Sequence, residues 1–110
     1  MNFRDAILDQ LTMLAEPSSQ LQYEKSLTEA GHAPSELVSV FCDDLYDPKN
    51  EAFFNEFTRD EHKDLAHLYG LIVEVAESRH ASVSEMLKDP RWRRVVEVSQ
   101  QVARTLRDAR

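Results

Sequence analysis

Four histidines and a single cysteine are the residues of this chain best suited to hold a metal or attack a substrate. His62 and His67 stand five apart, so on a helix they point to different faces, whereas ligands sharing one helix want a spacing of three or four. No HExxH run exists, and His32, His62, His67 and His80 each read as structural or surface residues. Cys42 is alone, which excludes an intramolecular disulfide and a cysteine-based zinc cluster. It falls near a helix C-terminus, where the dipole opposes a thiolate, so it reads as a small buried hydrophobe. No G-x-S-x-G elbow is present. Carboxylate pairs are too abundant to single one out, and a glycosidase-like pair needs a cleft of fixed separation. The expectation is no enzyme, no metal and no cofactor.

The residue types that do stand out are acids interleaved with rings. CDDLYDPKNEAFFNEFTRDE, residues 42–61, sets Asp43, Asp44, Asp47, Glu51, Glu56, Asp60 and Glu61 among Tyr46, Phe53, Phe54 and Phe57. Part of this is ordinary helix chemistry, because Glu51, Asp60 and Glu61 fall in first turns, where negative charge is favoured. Asp47-Pro48 is turn chemistry. Asp43 and Asp44 fall at a helix end, where an anion gains nothing locally, and that suggests a cation from outside. Phe53 and Phe57 share a face and suit the core, leaving Phe54 or Tyr46 for the surface. An aromatic anchor inside an acidic rim is the pattern of an electrostatically steered interface. The expected partner-binding residues are Asp43, Asp44, Tyr46, Asp47, Glu51, Phe54, Glu56, Asp60, Glu61 and Asp64.

The net charge of −7 is unevenly spread, with an acidic middle and a basic final stretch from Lys88 onward. A net acidic chain repels nucleic acid and favours basic partners. The arginines of the last stretch (Arg91, Arg93, Arg94, Arg104, Arg107 and Arg110) offer a second reading. In it a helical nucleic-acid-binding regulatory protein contacts phosphates through them and stacks bases on Trp92. The simpler reading puts Trp92 in the core, Arg104 and Arg107 against the helix C-terminus, and Arg91, Arg93 and Arg94 against the acidic middle.

These residues need helices to position them. Phe3, Ile7, Leu8, Leu11 and Leu14 predict a helix over 3–15, stopped by Pro17. Ser18 or Ser19 caps a second helix carrying Leu21, Leu27 and Ala30, with Gly31 at its exit. Pro34 opens a third helix reaching residue 45 through Leu37, Val40, Phe41 and Leu45. Asn50 caps a short helix, and Thr58-Arg59-Asp60-Glu61 is a capping box for a long helix over about 59–79. The apolar face of that helix is Leu65, Leu68, Tyr69, Ile72, Val73 and Ala76. Ser82 to Glu85 is a second capping box. Asp89-Pro90 starts the last helix, with Trp92, Val95, Val96, Ser99, Val102, Ala103 and Leu106 inward. Strand alternation fails except at LVSVF, 37–41. The fold class is all-α, one domain over 1–110, a bundle of five to six helices.

With 42% apolar residues and 110 residues in all, the chain can bury one core. Two glycines are too few for a turn-rich β architecture or a phosphate loop. MNFRDAILDQ has no apolar stretch of signal-peptide length, and LYGLIV is far short of a membrane span. A cytoplasmic protein with no membrane partner is expected. In size, charge and the DDLYDP…FFNEF segment the chain resembles small acidic helical bacterial immunity proteins, including partners of contact-dependent growth inhibition toxins. That resemblance implies a stoichiometric inhibitor that covers or flanks the active site of a basic, nuclease-like toxin.

Overall fold

The computed structural model describes residues 2–27 and 32–108. Those residues form seven α-helices and one π-helical segment, with no strand among them. The all-α class follows, and LVSVF is helical. The expected positions of Ala30 and Gly31 lie outside the described residues.

Helix α1 (Phe3–Ala15) starts at Asn2, whose side chain accepts the Asp5 N–H, and it buries Ile7, Leu11 and Leu14 completely. Helix α1 ends at Ala15, as expected ahead of Pro17, and Pro17 itself opens α2 (Pro17–Ser26) after a single extended residue, Glu16. Proline lacks only an N–H that a first turn leaves unused, so it breaks one helix while starting the next. Neither Ser18 nor Ser19 is a cap, since both lie inside α2, and the Ser19 hydroxyl donates back to Glu16.

Helix α3 (Ala33–Ser39) begins at His32, with Pro34 in its first turn. It runs into a π-helical segment, Val40–Leu45, in which Tyr46 N–H reaches back five residues to Phe41 O at 2.8 Å. Helix α4 (Glu51–Asn55) is capped by Asn50. Helix α5 (Arg59–Ala76) carries the complete capping box: Thr58 N–H donates to Glu61 Oε1 at 2.8 Å and Glu61 N–H to Thr58 Oγ1 at 3.2 Å. Helix α6 (Val83–Met86) is capped by Ser82. Helix α7 (Pro90–Asp108) starts from Asp89, whose Oδ1 accepts the Arg91 N–H at 2.9 Å. The count exceeds the expected five to six because α4 and α6, only five and four residues long, stand as separate helices.

Helix α7 is the centre of the packing, with α1 and α5 against it and the shorter elements closing the remaining sides. Its inward residues Trp92, Val95, Val96, Ser99, Val102, Ala103 and Leu106 are all buried. Each fully buried large aliphatic side chain stabilises the fold by about 1.5–3 kcal/mol relative to exposure. The inward face of α5 differs from the expected one. Leu65, Leu68, Ile72 and Val75 point in, whereas Tyr69 and Val73 are 36% and 39% exposed and Ala76 is also outside.

Candidate partner-binding site

The acid-and-aromatic stretch divides into residues that work inside the fold and residues that face outward. Glu61 is only 3% exposed. Both its oxygens take the Arg4 guanidinium, at 2.9 and 2.7 Å, and this holds its carboxyl below the usual carboxylate range. The same Arg4 group donates to the backbone carbonyls of Glu56 and Leu106, each at 3.1 Å. The Glu56 carboxylate accepts the N–H groups of Phe3 and Arg4 at 3.1 and 3.0 Å, so it completes the start of α1 from 53 residues away. Asp64 is half-buried and lines a small cavity with His67 and Arg94. Asp43, Asp44, Asp47, Glu51 and Asp60 are exposed.

The rings divide in the same way. Phe53 is fully buried and packs against Phe3 and Phe57. Tyr46 is half-buried, stacked on Phe41 with ring centres 5.6 Å apart and tilted onto Tyr69 at 5.0 Å. Phe54 is 54% exposed. Its outer position is fixed from beneath by His62, whose ring stacks on it at 4.5 Å while Nε2–H donates to the Phe54 carbonyl at 2.8 Å. Phe54, Tyr46, Pro48, Phe57 and Ala66 line an open, mostly apolar groove of about 700 Å³. Arg59, His62 and Lys63 of α5 form its remaining wall. Asp47, next to Pro48 in the chain, and Glu51, on α4 with Phe54, are exposed and do not line the groove.

Cys42, in the π-helical segment, is half-buried, and desolvation with the adjacent Asp43 pushes its thiol up to about 11. That is the reverse of an activated nucleophile.

Part of the arginine-rich end is engaged inside the fold, whereas Arg93 and Arg104 are exposed and Arg110 lies outside the described residues. Trp92 is fully buried and unavailable for stacking. Arg91 binds Asp89 and Ser78, Arg94 binds Glu97, and Arg107 donates to Thr12. Arg91 and Arg94 thus pair with acids on their own stretch and not with the acidic middle. A helix start supplies such acids locally, and short-range partners cost less chain ordering than distant ones.

One region was not anticipated. A cavity of about 710 Å³ opens between α3 and the α5–α6 connection, lined by His32, Ser35, Arg79, His80 and an apolar floor of Val38, Val75 and Met86. His80 Nε2 lies 3.1 Å from Asp89 Oδ2, and Arg91 beside Asp89 holds that carboxyl far below the usual range. The sequence carries two Glu-x-x-His spacings here, Glu29–His32 and Glu77–His80, so it is wrong that no glutamate stands three before any histidine. Glu29 lies outside the described residues, and among the described residues no three histidine, cysteine or carboxylate groups gather as metal ligands. The two serines at this cavity are already engaged, Ser35 with His32 and Ser78 with Arg91. No helix among the described residues is long and apolar enough to cross a membrane.

No protein-family model, curated protein or solved structure matches this chain.

Proposed function

We propose that this chain is an acidic protein-binding inhibitor of the immunity type, which neutralises a basic, nuclease-like toxin in the cytoplasm by one-to-one binding. The observation that carries the reading is Phe54, 54% exposed although it is a large apolar ring, and held in place by His62 stacked under it at 4.5 Å. A phenylalanine left in water has a clear use as the anchor of an interface, where it fills a pocket of the partner. Asp43, Asp44, Asp47 and Glu51 then steer lysines and arginines of the partner toward it. Arg59 and Lys63, on the α5 wall of the groove, make one docking orientation better than its reverse. Glu56 and Glu61 contribute by building the scaffold under the surface, not by touching the partner.

Calorimetric titration with the product of the immediately upstream gene, at low and high salt, tests this. Tight one-to-one binding is expected, weakened by salt and by Asp43→Lys with Asp44→Lys. Phe54→Ala is expected to weaken it by about 30-fold, which is the 2 kcal/mol typical of an interface anchor. No binding at either salt concentration, or binding indifferent to Phe54 and to both aspartates, overturns the reading.

A further inference from the structure

The large hydrophobic side chains exposed among the described residues are Phe54, Tyr69 and Val73, and two of the three lie on α5. At 100° per residue, Tyr69 and Val73 share a face with Lys63, Ala66, Gly70 and Glu77, turned away from Leu65, Leu68, Ile72 and Val75. Gly70 is the unexplained member. It sits in the middle of an 18-residue helix, where glycine is a poor helix former. Nothing inside the molecule requires it, because a Cβ built there meets no atom within 4 Å. A glycine facing open space on a helix suits the close approach of something from outside. The charges on the same face identify what that is. Lys63 and Glu77 each lie seven residues from Gly70, about 10 Å along the axis at 1.5 Å per residue. The face carries the cation Lys63 toward its N-terminal end and the anion Glu77 toward its C-terminal end, with exposed Glu74 at its edge one turn past Gly70, while Ala66, Tyr69, Gly70 and Val73 are uncharged.

We infer that α5 is a self-association surface, on which two copies of this chain pack α5 against α5 antiparallel, with Gly70 at the two-fold axis. Such an axis sets Lys63 of each copy against Glu77 of the other, so one pattern satisfies itself twice, as an isologous contact must. The absent side chain at Gly70 lets the two axes approach to the short end of the usual 8–10 Å. A foreign helix would need the mirrored charge pattern; a second copy has it by construction. The charge of −7 on each copy opposes association. At physiological ionic strength that opposition is screened beyond about 8 Å, so the charges lining the contact dominate. Glu77 also contributes to the field at Arg91, but the bonds of Arg91 go to Asp89 and Ser78. The inference needs neither Phe54 nor the aspartates of the 43–47 region; it shares Lys63 and Ala66 with the groove of the inhibitor reading, whereas Gly70 and Glu77 lie outside that groove and keep the two tests apart.

Sedimentation equilibrium of the full chain, from micromolar concentrations to about 1 mM, reads the outcome. A reversible monomer–dimer equilibrium is expected. Gly70→Gln replaces a poor helix former at a position with room for the side chain, so helicity is kept, and dimer affinity falls about tenfold or more by loss of close packing. Lys63→Glu and Glu77→Lys each weaken the dimer about tenfold by setting like charges together, and the double swap restores it. A chain that stays monomeric throughout overturns the inference. So does a dimer unmoved by Gly70→Gln, or a charge swap that fails to rescue while circular dichroism shows every variant folded.

Discussion

The Trp92 indole N–H donates to the Gln20 side-chain carbonyl at 2.9 Å, and neither residue touches solvent. The other end of Gln20 donates to the Leu14 carbonyl at 3.0 Å, in the last turn of α1, where helix carbonyls lack partners. One buried amide thus joins α1, α2 and α7. Trp92→Phe leaves the Gln20 oxygen buried and unpaired. It is expected to lower stability by about 1–3 kcal/mol from that desolvation alone, with further loss from the smaller ring. Urea unfolding measures it, and a variant as stable as the parent would remove this bond from the account of the core.

The Arg4–Glu61 pair makes a second prediction. Arg4→Met strands a buried carboxylate and is expected to destabilise by about 3–5 kcal/mol, more than Glu61→Gln, which keeps the uncharged hydrogen-bonding shape. The pH dependence has a definite sign. Glu61 and Asp89 both have carboxyls held below their ordinary range, by Arg4 and by Arg91 respectively. Their contribution is complete above the unfolded carboxylate pKa of about 4 and disappears as pH falls through the lowered folded values. The urea midpoint should therefore be flat near neutrality and drop steeply below about pH 4, with a shallower drop in Glu61→Gln.

Ser99 is fully buried on α7, and its hydroxyl has no hydrogen-bond partner. Ser99→Ala removes an unpaired polar atom and improves helix propensity, so it is expected to raise stability by about 1 kcal/mol. Thermal melting of the two proteins side by side decides it; a lower midpoint in the alanine variant would mean that the hydroxyl is satisfied after all.

Cys42 should be slow to react. With its thiol pushed up to about 11 and its side chain partly buried, alkylation by iodoacetamide at pH 8 should be much slower in the folded protein than in urea. Equal rates in the two states would contradict the burial.

What the sequence made legible was local. The Thr58–Glu61 capping box, the Asn50 cap and the Asp89-Pro90 start are each written within four residues, and each forms. The inward stripe of α7 was readable because one strongly amphipathic helix has a single apolar arc. On α5 the apolar arc is wider than the side its neighbours cover, so periodicity included Tyr69 and Val73 and passed over Val75. The partners of Glu56 and Glu61 were hidden for a different reason. Arg4 is 57 residues from Glu61, and an acid in a first helical turn looks the same whether its charge meets water or a distant guanidinium. Helical spacing leaves either Phe54 or Tyr46 for the surface; that it is Phe54 depends on which side of α4 the long helix occupies, a tertiary matter.

The pairing of α1 with α7 has a consequence for biosynthesis. Ile7, Leu11 and Leu14 find their cover on a helix that begins 75 residues after α1 ends. At about 5–20 residues per second, the nascent α1 waits several seconds for α7, with only α2 and the π-helical segment to pack on it meanwhile, and the Arg4 anchor at Leu106 forms later still.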